Sequence, residues 1–475
     1  MKKILFILAG AVMLSSSCTR DLTRLNNDPK NPTDAKSFTF LTNAERRFSN
    51  VLASGSQNLN VFRLIVQYWG QTTYTEESNY DLATRGIYDN IWDVIYRDVL
   101  PDLEEAKKLI PRDVPDQDIQ KNQLAIADIL QVYAYYYLVT TYGNIPYSEA
   151  LDHNKPFPKY DDARTVYNDL LARLDADIAA LNTNAASFGN ADIVYGGNVA
   201  NWKKFANSLK LKMGMLLADS DAASAKTIVE AAVAAGVFTS SADNAMFQYL
   251  SSPPNTNPIW VDLVQSNRDD FVPASTIVDK MVGLNDPRTD DYFTLDPTGN
   301  YSGGVPGDGT VYGSVSAVSP TITTADFPGV FLDYAEVEFF LAEAVERGFN
   351  VGGTAQEHYD KAVTASIVGW GGTAAEAAAY LAQPEVDYAT APGTYKEKIG
   401  VQKWIHLYNR GWDSWIEWRR LDAPHLDPAT NAVSGIPMRY PYPVKEQNVN
   451  RLNYEQAAAA IGGDEVEIKL FWDKF

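Results

Sequence analysis

The chain has 475 residues, 45% hydrophobic and 21% charged, the balance of a folded protein rather than a disordered or collagen-like one. That length holds two or three average domains, or one helical array that grows by repetition. A net charge of −20 argues against nucleic acid as a partner, since phosphate neutralisation needs clustered Lys and Arg, and against adhesion to an anionic bilayer by charge alone.

Lys2 and Lys3, the apolar run Ile4 to Leu14 and the small residues Ser15-Ser16-Ser17 form a secretory signal over residues 1–17, too short to span a bilayer. Cys18 follows directly and is the single cysteine, so no internal disulfide or cysteine-rich metal site can form. Its setting resembles a bacterial lipobox, with Leu14 one place further from the cysteine than usual; the expectation is acylation at Cys18, each buried CH₂ adding about 0.8 kcal/mol of membrane attachment. Residues 18–45 are expected to be a lipidated tether. Asn26-Asn27-Asp28-Pro29 and Asn31-Pro32 are turn formers in it, because the residue before a proline is pushed out of helix.

Residues 46–475 then read as one domain, helical from the outset. Leu124, Ile126, Ala127, Leu130, Tyr133, Ala134, Tyr137 and Leu138 make a broad apolar stripe over Asp118–Tyr142, which Gly143-Asn144-Ile145-Pro146 stops. Further helices are predicted over Thr165–Leu181, Val199–Ala218 and Ala222–Ala235. Residues 251–330 carry nine Pro and eight Gly, a density that leaves only a short helix near Ala274–Val282 and predicts a loop-rich lobe, the kind of region where binding sites collect. Helices return at Phe331–Arg347 and Ala355–Trp370. The spacing of Leu341-Ala342-Glu343-Ala344, Gly348, Tyr359 and Ala362 approaches a tetratricopeptide hairpin, with Asp118–Tyr142 and Thr165–Leu181 as a degenerate second copy. The fold class is therefore mainly α: a tetratricopeptide-like scaffold with an irregular lobe. Trp412, Trp415 and Trp418 recur at three residues and read as core of a C-terminal helix, with Arg419 and Arg420 paired structurally.

No catalytic constellation stands out. His153, His358, His406 and His425 are scattered, and HExxH is absent, so no metal site is expected. The run Gly303–Thr310 has Thr310 where a P-loop needs Lys and Tyr312 where GxGxxG needs its last Gly, so no nucleotide cofactor is expected either. GxSxG is missing. Glu336, Glu338, Glu343 and Glu346 lie along one helix, and Asp269-Asp270 and Asp290-Asp291 in loops; in a chain with 60 acidic residues these read as solvated surface, although a glycosidase would need only two of them.

Several segments in order resemble the SusD/RagB family of nutrient-binding outer-membrane lipoproteins. They are Leu25 to Thr33, Tyr142-Gly143-Asn144-Ile145-Pro146-Tyr147, Asn257-Pro258-Ile259-Trp260, Asn285-Asp286-Pro287-Arg288, Tyr334-Ala335-Glu336, Gly411 to Arg420, Arg439-Tyr440-Pro441-Tyr442-Pro443 and Lys469 to Lys474. The resemblance implies four tetratricopeptide-type hairpins with an irregular lobe. It also implies a lipid anchor in the outer membrane facing the cell exterior, a SusC-like TonB-dependent transporter as partner, and binding of a glycan or other nutrient without chemistry. Sugars have apolar faces and hydroxyl rims, so a capture site needs aromatic platforms with a few polar side chains. The loop aromatics Tyr74, Tyr80, Trp260, Tyr292, Tyr301 and Tyr312 are the candidates, with Asn79, Asn257 and Arg268 as polar companions. A surface glycoside hydrolase and a free-standing adhesin or peptide binder are the competing classes. The first would show product formation lost with one carboxylate, the second binding without a barrel partner.

Overall fold

The computed structural model describes residues 35–474; the signal segment, Cys18 and most of the tether lie outside the described residues. The first described helix, α1 (Ser37–Ala53), starts inside the segment expected to be tether and buries Leu41, Ala44, Glu45 and Phe48. The tether therefore gives way to the folded domain by Ser37 rather than near residue 45.

The long helices follow in order: α2 (Leu100–Asp113), α3 (Gln117–Tyr142), α4 (Ala163–Ala180), α5 (Val199–Leu216), α6 (Ala222–Ala235), α7 (Tyr334–Glu346), α8 (Ala355–Gly369), α9 (Tyr395–His406) and α10 (Gly411–Leu421). Their ends are set locally. The Asp116 carboxylate accepts the N–H groups of Asp118 and Ile119 to start α3, and Gly143 at φ 90° ends it. Thr354 and Glu357 form a reciprocal capping box that starts α8. Helices pack in pairs, α1 with α2, α3 with α4, α5 with α6 and α7 with α8; the spacing predicted the α7–α8 hairpin and a degenerate α3–α4 copy, and the resemblance implied all four. No helix among the described residues is long and apolar enough to cross a membrane.

Among the described residues strand is confined to three two-stranded antiparallel ribbons. Strand β1 (Trp69–Gln71) pairs with β4 (Phe271–Pro273) in the register Trp69 to Pro273 and Gln71 to Phe271. Strand β2 (Ile145–Pro146) pairs with β3 (Tyr160–Asp161). The last ribbon joins Ala245–Phe247 to Gly329–Leu332. The last ribbon joins the two ends of the loop-rich lobe to each other, and the first ties Phe271–Pro273 inside it to Trp69–Gln71. Within 251–330 the short helix runs Ser275–Gly283, and most of the rest is turn and irregular chain.

The core of the scaffold contains charge as well as hydrocarbon. Glu336, Glu338 and Glu343, expected on a solvated surface, are buried, and only Glu346 of that set reaches solvent. Glu336 pairs with Lys212 of α5 at 3.0 Å and with Arg410 at 2.6 Å, while Arg410 also meets Asp413 at 2.8 Å and Asp333 at 3.3 Å. Arg420 bridges Glu343 and Glu417, each at 2.6 Å, and Lys403 meets Glu417 at 2.8 Å. The misreading has a simple cause: apart from Arg347, which meets Glu343 one turn away at 2.8 Å, the cations on Glu336 and Glu343 lie far off in sequence, Lys212 on α5 and Arg410 and Arg420 at and within α10. Trp412, Trp415 and Trp418 are buried as the spacing predicted. Arg420 is ion-paired, whereas Arg419 is satisfied by the carbonyls of Thr140 and Met438 and by the faces of Trp415 and Trp472.

Candidate functional site

Four loops converge beside the β1–β4 ribbon. The segment after β1 is tied to the one before β4, because Thr72 donates its N–H to the Asp270 carbonyl at 3.0 Å and its hydroxyl to the Asp269 carbonyl at 2.6 Å. Asn79 is the clasp of the assembly. Its Nδ2 donates to the carbonyls of Gly307 at 2.8 Å and Thr430 at 2.6 Å, and its own carbonyl accepts the Val433 N–H at 2.9 Å. Thr430 N–H in turn donates to the Pro306 carbonyl. Gly307 sits at φ 79°, and a Cβ there would lie 2.2 Å from the Thr430 carbonyl, so only glycine permits this approach. The chain around Tyr74, Asp269, Val305–Tyr312 and Thr430–Val433 thus forms one continuous face.

That face is where apolar side chains meet solvent. Tyr74 is 70% exposed and Tyr312 44%, with Val305, Val311 and Val433 exposed around them. Soluble proteins rarely cluster exposed hydrophobics without a binding reason. The Arg85 guanidinium lies 5.5 Å over the Tyr74 ring and is held there by Glu76 at 2.8 Å and Glu77 at 3.1 Å, so an ion-paired cation presets the ring. Burial and the neighbouring Asp269 carboxylate push the Tyr312 hydroxyl up, keeping it a neutral donor. Arg268, also exposed, pairs with Asp270 at 2.7 Å along the same loop.

The other sequence candidates take different positions. Tyr80 is buried at φ 66° with its hydroxyl accepting the Ala429 N–H, and Tyr292 is buried with its ring stacked 4.3 Å from Tyr408 and its hydroxyl donating to the Ile405 carbonyl. Neither meets solvent in this fold. Asn257 is fully buried, its Nδ2 donating to the Phe327 carbonyl and its Oδ1 accepting the Ile259 N–H, so it braces the lobe. Asn79 is buried as the clasp and acts through the loops it holds. Trp260 is half-buried at the start of the turn Trp260–Gln265, and Tyr301 is half-buried near Asp290. Of the nine candidates the structure brings Tyr74, Tyr312, Arg268 and, beneath them, Asn79 and Tyr80 into one neighbourhood. No cluster of three His, Cys, Asp or Glu side chains suited to a metal ion occurs among the described residues.

Residues 29–443 match the family described as SusD-like, starch-binding and associating with the outer membrane. The chain belongs to the SusD-like family. Solved structures agree: a chitin-binding protein shares 27% identity at TM-score 0.81, covering 93% of this chain and 100% of that one. A SusD homologue from Bacteroides uniformis shares 28% at TM-score 0.79, with 93% and 100% covered, and a chitin-binding SusD homologue from Flavobacterium johnsoniae shares 25% at TM-score 0.79, with 92% and 98% covered. No curated protein matches.

In this SusD-like chain, sequence reasoning missed Thr72, Arg85, Asp269, Val311 and Val433 as parts of the face. A signal was available for Val311, next to Tyr312 in a Gly-rich stretch that no helix could absorb. None was available for Val433, which reaches the face only through its hydrogen bond to Asn79.

Proposed function

We propose that this SusD-like protein captures a glycan at the cell surface on the four-loop face and hands it to a SusC-like TonB-dependent barrel, anchored to the outer membrane through an acylated Cys18 and turned towards the cell exterior. The carrying observation is the exposure of two tyrosines, Tyr74 and Tyr312, on neighbouring loops held together by Asn79. A sugar ring stacks its C–H face on such platforms while its hydroxyls meet the tyrosine rims, Arg268, Asp269 and the loop carbonyls. Binding of this type releases its cargo intact and readily, since a few stacked rings and hydrogen bonds give an affinity of about 4–8 kcal/mol. The chitin-binding relatives make chitooligosaccharides the first ligands to try, and the family description makes malto-oligosaccharides the second. Affinity electrophoresis through soluble polysaccharides is expected to retard the wild-type chain in at least one gel and leave the polymer uncleaved. Native protein extracted from outer membrane is expected to co-purify with a large β-barrel and to carry acyl chains on Cys18. Polymer cleavage or purification without a barrel would move the reading to the hydrolase or the adhesin.

A further inference from the structure

A second, more enclosed cavity lies between the C-terminal end of α1, the Ala245–Leu332 ribbon and α8, and shares no residue with the four-loop face. Its volume is about 260 Å³, below the roughly 300–1,000 Å³ usual for drug-sized ligands, so it suits one small molecule rather than a chain. The Phe327 and Trp370 rings, 5.8 Å apart at 30°, form an apolar wall, and both are only half-buried.

The polar lining selects the ligand. Asn244 and Asn409 each have their side-chain oxygen engaged, by the Tyr334 N–H at 2.8 Å and by Arg63 Nη1 at 2.7 Å, which fixes the amides and leaves both Nδ2 groups without a partner among the described residues. Two oriented N–H donors therefore remain for an acceptor in the cavity. The charges beside them are spent. Arg410, the one arginine lining the cavity, is committed to Asp333, Glu336 and Asp413, so the lining itself has no spare guanidinium for an anionic ligand. Ser366, His406 and Asp333 form a hydrogen-bonded row with separations of 3.1 and 3.0 Å, yet the Ser366 hydroxyl is 1% exposed and accepts Arg288 Nη1. That row fixes the floor and offers no free nucleophile. We infer that this cavity is a second ligand site for a single neutral ring with hydroxyl or carbonyl acceptors at its edge and an apolar face for Trp370, that is, one monosaccharide unit.

The site is independent of the four-loop reading and can be tested apart from it. Saturation-transfer NMR on the full chain with glucose, xylose and N-acetylglucosamine at millimolar concentration should detect at least one of them. Gly369 lines the cavity, and a Cβ built there meets nothing within 4 Å, so a side chain can start from this position without a clash, and Gly369→Phe adds bulk at the cavity wall. It is expected to weaken the bound sugar at least tenfold. Asn409→Asp keeps the acceptor for Arg63 while replacing the free donor by an acceptor, and should do the same with the fold unchanged by circular dichroism. Tyr74→Ala with Tyr312→Ala should leave this binding in place. The inference is overturned if none of the three sugars binds, if binding survives both cavity variants, if it disappears with the tyrosines instead, or if phenylacetate, an aromatic carboxylate, binds in their place.

Discussion

Along α7 and α10 the charged and aromatic side chains face inward and neutralise one another, whereas on the four loops the same residue types face solvent. Glu336, Lys212, Arg410 and Asp413 are buried among Tyr133, Tyr137 and Trp412, while Tyr74, Tyr312, Arg268 and Asp269 stand at the surface. A buried charge is tolerated only when paired, so the scaffold's ions are structural partners with no charge to spare for a ligand. Exposed aromatics carry no such debt within the fold, and their exposure is what needs explaining. In this protein, accessibility separates function from architecture, and residue type does not.

The largest effect is expected where that contrast is broken in the core. Arg410→Met leaves Glu336, Asp333 and Asp413 short of their shared cation, and should cost about 3–5 kcal/mol in urea unfolding; a loss under about 1 kcal/mol would mean the network is dispensable. Asn79→Ala removes two buried hydrogen bonds that join three loops, with an expected cost of about 1–3 kcal/mol and a matching loss of glycan affinity. Stability lost without affinity would show that the clasp does not shape the face. The smallest effect concerns Asp262, whose carboxyl burial pushes up to about 6. Its folded form favours the protonated acid, so the contribution is present at pH below the ordinary carboxylate value and is lost as pH rises through about 6. Asp262→Asn should therefore stabilise the chain at pH 7, by about 1 kcal/mol after discounting for partial exposure, and the gain should vanish at about pH 3, below the ordinary carboxylate value. Asp333 behaves oppositely. Burial would raise it, but His406, then Arg410 and the Glu336 N–H, hold it well below the usual carboxylate range. Its stabilisation is complete above that range and fades as pH falls below it, so acid unfolding should set in earlier in Arg410→Met than in wild type.

The scaffold was largely legible because its signals are local. The apolar stripe of α3, the small residues of α7 and α8 and the three-residue rhythm of the tryptophans each declare a helix and its buried side within a few turns. The site was legible only in part. Loop position correctly drew attention to Tyr74 and Tyr312, yet a loop residue can still point inward. Tyr80, at a left-handed φ, turns its hydroxyl to Ala429, and Tyr292 stacks on Tyr408, more than a hundred residues away. The α7 carboxylates were misjudged for the same reason. Burial of a polar group depends on a partner, and those partners come from helices that sequence spacing does not bring near.

The most direct measurement is calorimetric titration of the Tyr74→Ala/Tyr312→Ala double variant with whichever oligosaccharide the wild type retains, alongside its thermal unfolding. Affinity should fall at least tenfold, about 1.4 kcal/mol, while the unfolding midpoint stays where it was, because neither ring is part of the core. Undiminished affinity in a folded double variant would place capture elsewhere on the molecule.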